Sequence, residues 1–370
     1  MAEGLAPDRS AVRRPGAERY LRYTLICFAL TVIALRSFLS LTGYPRIAGG
    51  ELHIAHVLWG GLFLFAAALT PLLVANRWAL EVSAVLSGVG VGLFIDEVGK
   101  FITQTNDYFF PPAAPIIYAA FLLTLLLYLR VRQEPARTVR HDLYTAFDDL
   151  THVLDHELDA RRRTEIRDRL SHARDHAQDR RLARLAAALL EFVESEYVEL
   201  ARRPRSRWER WADRLREFEA RWLTPGRMRL LFGTALLVMG VGAFVDLLVL
   251  LWTVIVPLDL ERAVRIIVRG AEAPGGTRLF LLFSRFVLAG VVGMLLVFGA
   301  VLLLLGRVRT GLACGYFGLL LSLTTLNLLV FYFDQFGAVG VAMVDFAVLL
   351  GVVHYRRRCR IDEAHAKQPV

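Results

Sequence analysis

Lysine is almost missing from this chain. Of 44 basic residues only Lys100 and Lys367 are lysines, and the other 42 are arginines. The bias fits a GC-rich bacterial genome. Cysteine is also scarce: Cys27, Cys314 and Cys359 lie in or beside apolar runs with no paired spacing. That excludes a disulfide framework and a CxxC metal site. Charged residues make up only 21% of the 370 residues, against 55% hydrophobic, and mean hydropathy is +0.45. So little polar surface excludes a soluble globular enzyme, a coiled coil and a disordered chain.

What is present is a series of long apolar runs, most of them above the roughly 18 residues that mark a spanning helix. Eight spans are predicted, at about 21–43, 52–75, 79–102, 113–130, 230–256, 279–305, 311–333 and 337–355. The fold class is therefore all-α: a polytopic membrane helix bundle with a helical domain inserted between spans four and five. The divisions are a basic tail (1–20), a four-span half (21–130), the inserted domain (131–228), a second four-span half (229–355) and a basic tail (356–370). The N-terminal apolar run is too long for a cleavable signal and lacks a small-residue cleavage site.

Arginines set the expected orientation. Arg9, Arg13, Arg14, Arg19 and Arg22 precede the first span, and Arg356, Arg357, Arg358 and Arg360 follow the last. Both termini then face the cytoplasm of a bacterial inner membrane. The 257–278 loop falls outside; it mixes acids, bases and apolar residues, as a short interfacial helix does. The net charge of +9 suits loops facing anionic lipid. The bases form no single stripe, so the partner is the lipid bilayer and no nucleic acid is expected.

The 131–228 segment holds 21 Arg and 19 Asp or Glu, so its own charge nearly cancels. Leu143, Phe147, Leu150, Leu154 and Leu158 recur at helical spacing, as do Leu182, Leu185, Leu189 and Phe192. Helix boundaries are expected near Thr164 and at Arg202-Arg203-Pro204. Within 205–223, Trp208, Trp211, Leu215, Phe218 and Trp222 form a stripe on a basic helix. Such a helix lies on a membrane face or packs into the inserted domain. The two four-span halves carry a similar Asp-and-aromatic run before spans four and eight, a hint of a parallel repeat.

Ionisable residues inside spans are costly, so they pair, line water or act. His53 and His56 share one face near the outer end of span two, within about 7 Å of it. Asp96 lies about 9 Å below the outer end of span three, with Glu97 and Lys100 nearer the surface. Asp96 and Lys100, four apart, are expected on one face. Arg36 lies about 10 Å from the outer end of span one, and Asp107 follows in the outer loop. The polar cluster is thus Arg36, His53, His56, Asp96, Glu97, Lys100 and Asp107.

Two readings are open for it. It is a structural network with Arg36 on Asp96 or Glu97, or a functional site. As a site, His53, His56 and Asp96 offer three ligands to a divalent, zinc-like metal with an open position. The same groups also suit a proton relay or an anionic ligand. Haem is excluded, because two His three apart on one helix cannot ligate opposite faces of a porphyrin. In the second half, Asp246, Arg285 and Asp345 are intramembrane charges, with Arg285 expected to pair with Asp246 or Asp345. Span seven adds Thr324 and Asn327. The cytoplasmic pairs His152/His156 and His172/His176 are read as solvated helix faces.

The run Glu51-Leu52-His53-Ile54-Ala55-His56-Val57-Leu58-Trp59-Gly60, with Gly92-Leu93-Phe94-Ile95-Asp96-Glu97, resembles an uncharacterised group of bacterial multi-pass membrane proteins. Those carry His-x-x-His-x-x-Trp-Gly on one helix and Gly-Leu-x-x-Asp-Glu on the next. The resemblance covers about the first 130 residues and implies a membrane fold with no assigned mechanism. The chain is also similar to VanZ-like proteins, which pair a His-bearing second span with Asp-Glu-x-x-Gln in the third; Lys100 stands where Gln would. Membrane hydrolases of the alkaline ceramidase and adiponectin receptor type offer a chemical analogy, holding zinc with His and Asp from several helices. This chain lacks their third His.

Three function classes follow: a protein that binds or transports a small molecule or ion, a metal-dependent enzyme acting on a lipid or envelope substrate, and a scaffold or sensor whose cytoplasmic helices report a membrane state.

Overall fold

The computed structural model describes residues 10–42, 56–108, 110–133, 137–154, 158–195, 214, 224–255 and 276–366. Among these, every long element is a helix and there is no strand. Eight helices are long and apolar enough to cross a membrane. The chain is an integral membrane protein with the all-α, polytopic architecture that its apolar runs predict.

The first four candidate spans are α1 (Ala17–Thr42), α2 (His56–Leu73), α3 (Arg77–Asp96) and α5 (Ala113–Arg132), with a five-residue α4 (Val98–Ile102) after α3. The last four are α9 (Pro225–Ile255), α10 (Gly276–Leu304), a seventh span of three pieces, and α13 (Val339–Ala366). The seventh runs as α11 (Val308–Leu321), a π turn (Ser322–Leu326) and α12 (Asn327–Asp334). Between the two sets lie α6 (Val139–Leu154), α7 (Ala160–His176) and α8 (Arg180–Glu194).

The chain divides into two compact units. One is drawn from residues 1–27, 66–88 and 124–213, the other from 28–65, 89–123 and 214–370. In the first, Leu143, Leu158, Ile166, Leu170, Ala186, Leu190 and Val193 form the core of α6–α8. Asp159 and Asp179 cap α7 and α8 by accepting the backbone N–H of Arg162 and Arg181, each at 2.8 Å. The α7 boundary is thus at Asp159. Thr164, expected at a helix start, lies inside α7 and donates to Ala160 O at 3.1 Å.

The expected stripes are also displaced. Phe147, Leu154, Leu185 and Phe192 are exposed, while α8 buries the neighbouring line Ala186, Leu190, Val193. α8 is apolar over a wide arc, and the core takes one edge of it. The 205–223 stripe, the Arg202-Arg203-Pro204 boundary and the 257–278 loop fall wholly or almost wholly outside the described residues.

In the second unit, the core of the last four spans is built from Leu236, Val292, Leu296, Leu303, Leu312, Leu319 and Val352. Ala114 and Tyr118 of α5 pack with Phe331, Ala338 and Ala342, and Phe28, Val32 and Ile117 form a further cluster. The α2–α3 crossing is fixed by glycine. A Cβ on Gly60 would lie 2.7 Å from Phe94 N and 2.9 Å from Gly90 O, so these backbones meet only because both positions lack a side chain.

One expectation is corrected here. The third span does not run unbroken to 102. It stops at Asp96, and Glu97 leaves the helical region with φ −90° and ψ 8°. Lys100 N–H then bonds Glu97 O at 2.9 Å, a tighter turn than the α-helical reach to residue 96.

Candidate functional site

The break at Glu97 builds the site. It turns two consecutive carboxylates inward from the end of α3, so that Asp96 and Glu97 are both essentially sealed from solvent, at 0% and 1% exposure. Arg36 reaches Asp96 from α1. Its Nε donates to Asp96 Oδ1 at 2.5 Å, and its NH2 group donates to the Asp96 backbone oxygen at 3.0 Å. That carbonyl is available because the break removes the backbone donor that a continuing helix would supply.

Glu97 has its own cation. Lys100 Nζ donates to Glu97 Oε1 at 2.8 Å. The expectation of Lys100 beside Asp96 on one helical face is therefore overturned: the pair is Glu97–Lys100, three apart across the α4 turn. The break takes residue 100 out of α-helical phase with residue 96.

His56, at the start of α2, lies between the two carboxylates. Its Nε2 is 3.1 Å from Asp96 Oδ2 and its Nδ1 is 3.3 Å from Glu97 Oε1. The imidazole remains about a fifth exposed, at 22%. His53 lies outside the described residues.

Tyr108 completes the cluster, and the sequence reading missed it as a site residue. Its hydroxyl donates to Asp96 Oδ2 at 2.6 Å. The Arg36 guanidinium lies 4.0 Å over its ring and Lys100 Nζ 5.3 Å from the ring centre. The loop carrying it approaches α4 at Gly99, where a Cβ would lie 2.7 Å from Asp107 O. Asp107 itself donates its backbone N–H to Thr103 Oγ1 at 2.7 Å. The available signal was the position of Tyr108 in a short loop that Pro111-Pro112 closes before α5.

The structure thus brings together Arg36, His56, Asp96, Glu97, Lys100 and Tyr108. Glu97 Oε2 is buried and has no hydrogen-bond partner among the described residues. A divalent ion would draw on His56, Asp96 and Glu97. Both His56 nitrogens and most carboxylate oxygens already face protein groups, and among the described residues no set of three acids, His or Cys has metal-site spacing.

The second-half charges are arranged differently from the expectation. Arg285 pairs with Asp334 at 2.9 Å, not with Asp345. Asp334 ends α12, one residue past the predicted span, and so was not counted among intramembrane partners. Asp345 instead accepts from Ser322 Oγ and Asn327 Nδ2. The Asp246 side chain lies outside the described residues. Thr324 donates to Leu320 O at 2.8 Å on an exposed face, away from Asp345.

In the α6–α8 unit the His pairs are engaged by protein. His172 Nδ1 lies 2.6 Å from Asp142 Oδ2 and stacks on His176, and His152 Nε2 faces Arg77 and Arg162. His156 lies outside the described residues. His141 lines a cavity of about 670 Å³ with Arg13, Arg137 and Arg169. Burial holds its imidazole below the ordinary histidine value; Asp142 opposes this, and Arg169 and Arg13 add to it.

Comparison of the chain with protein-family models, curated proteins and solved structures finds no match.

Proposed function

We propose that this is a protein of the bacterial cytoplasmic membrane, both termini cytoplasmic, that binds or transports a small molecule or ion. The site faces the outer leaflet and consists of Arg36, His56, Asp96, Glu97, Lys100 and Tyr108. The observation that carries this reading is His56 held between two sealed carboxylates. Arg36 and Lys100 already neutralise Asp96 and Glu97, so the permanent charges cancel. A proton on His56 is then the surplus charge, and imidazole is the side chain suited to exchange one near neutral pH. With Lys100 it is among the partly exposed members of the cluster.

A purely structural ion-pair network would fill its buried acceptors. Among the described residues Glu97 Oε2 is the unfilled one, and it is where a donor on a ligand would bind. The test is nitrogen NMR of histidine-labelled protein in lipid nanodiscs, with His56→Gln to assign the signal. A solute that stabilises the protein should shift the His56 ring-nitrogen signals. His56 signals unmoved by every solute that stabilises the protein would reduce the cluster to packing.

The closeness of His56 to Asp96 also supports a second reading, a metal-dependent membrane enzyme acting on a lipid or envelope substrate, with His53, His56 and Asp96 as ligands. Elemental analysis decides it. Near-stoichiometric zinc, lost in His53→Ala with His56→Ala, supports this reading, and metal-free protein sinks it.

A further inference from the structure

Asp345 lies about 9 Å along α13 from its start and is 4% exposed. Its Oδ2 accepts two hydrogen bonds, from Ser322 Oγ at 2.6 Å and Asn327 Nδ2 at 3.1 Å. Both donors are buried as well. Among the described residues Oδ1 takes no hydrogen bond, and no Lys, Arg or His pairs with either oxygen. Arg285 of α10 is engaged by Asp334. The ionisable group facing Asp345 is Tyr118 of α5; the π turn and α12 present only the neutral Ser322 and Asn327.

The backbone is shaped to make this arrangement. Residues five apart on an α-helix are splayed by about 140°. Ser322 and Asn327 nevertheless converge on one oxygen, because the π turn between them has a wider winding. Its signature is Asn327 N–H reaching back to Ser322 O. That leaves Leu323 O without its α-helical donor, and Tyr118 Oη donates to it at 2.8 Å, its ring stacked on Phe331. The distortion is thus propped from a neighbouring helix, and its product is a pair of neutral donors aimed at a carboxylate.

Neutral donors supply dipoles and no charge. A lone carboxylate sealed inside a spanning helix is strongly disfavoured unless something positive compensates it. Among the described residues the protein supplies cations to Asp96 and Glu97, and none to Asp345. We propose that Asp345 is a monovalent-cation site, filled on its open Oδ1 by one positive charge from outside the chain, a proton or Na⁺. Both sources meet the same need, a single small positive charge on one oxygen.

Infrared difference spectra of the full chain in lipid nanodiscs, wild type minus Asp345→Asn, test this at neutral pH with and without Na⁺. A carboxylic-acid C=O band lost in Asp345→Asn and unmoved by Na⁺ assigns the proton. Conversion of that band to carboxylate stretches on adding Na⁺, or carboxylate stretches that shift with Na⁺, assigns sodium. Carboxylate stretches present in both buffers and insensitive to Na⁺ overturn the proposal. If Asp345→Asn fails to fold, Ser322→Ala serves in its place. It removes one donor to Oδ2 and keeps the acid, so the same Na⁺-dependent pattern should appear on a shifted band. A band identical to wild type and indifferent to Na⁺ in the carboxylate form again overturns it.

Discussion

Two buried polar sites occupy the same unit, and they satisfy their carboxylates in opposite ways. Asp96 and Glu97 are each met by a permanent cation, Arg36 and Lys100. Asp345 is met by a hydroxyl and an amide. Each site is created by a departure from α-helical winding, a break at Glu97 in one case and a π turn in the other. Each departure frees a backbone carbonyl that a side chain from another helix then takes: Arg36 for Asp96 O, Tyr118 for Leu323 O. The difference lies in where the compensating charge comes from. In the first site it is covalently part of the chain. In the second it has to arrive.

That contrast can be broken by substitution. Arg36→Met should be the most damaging change, because it strands Asp96 as an uncompensated buried charge. A loss of about 3–5 kcal/mol is expected, read as a large fall in thermal unfolding temperature in detergent. Combining it with Asp96→Leu should recover much of that loss. If the single and double variants are equally unstable, the pair is not what matters at this position.

Gly99→Val comes next. Its side chain would press on the Asp107 carbonyl and push away the loop that carries Tyr108. Overpacking of this kind costs about 1–3 kcal/mol, and Tyr108→Phe should lose less, since it removes only the hydroxyl bond to Asp96. Comparing the two by thermal unfolding separates the loop's placement from its hydrogen bond.

Asp345→Asn should change stability by less than about 1 kcal/mol, because it orphans no cation. Equal destabilisation by Asp345→Asn and Arg36→Met would mean that Asp345 has a charged partner after all, and the comparison would collapse.

The smallest effect is expected outside the membrane. His141 binds its proton less readily when folded than when unfolded. The unfolded chain therefore holds more protons as pH falls from near 6.5, and stability should decline over that interval. His141→Gln should flatten the slope. A chemical-denaturation series against pH that is identical for the two proteins would remove His141 from the account.

Much of the scaffold was legible because it rests on long apolar runs and on a few charges that stand out against them. The eight spans coincide with the eight long helices observed, although the third stops at Asp96 and the last helix continues to Ala366, and their shared depth made Arg36 a candidate partner for Asp96 or Glu97. The departures from regular winding could not be anticipated. Val98 and Gly99 continue an apolar pattern, so nothing in the periodicity marks the stop at Asp96. Ser322 and Asn327 read as polar residues on different faces until the π turn is known. Tyr108 was visible in a short loop, but only the folding of that loop over α4 makes it a partner of Asp96. The missed partner of Arg285 was a boundary effect: Asp334 stood one residue beyond the predicted span.

The Asp96 carbonyl has a consequence beyond holding Arg36. In a straight third span, the same oxygen would receive the backbone N–H of Lys100. The guanidinium and that amide would then share one acceptor. Straightening the helix by a single residue would bring that amide onto it beside the guanidinium, and would place Lys100 within reach of Asp96 as well as Glu97. The carbonyl is therefore a mechanical junction, where the winding of one helix and the seat of Arg36 meet at the same atom.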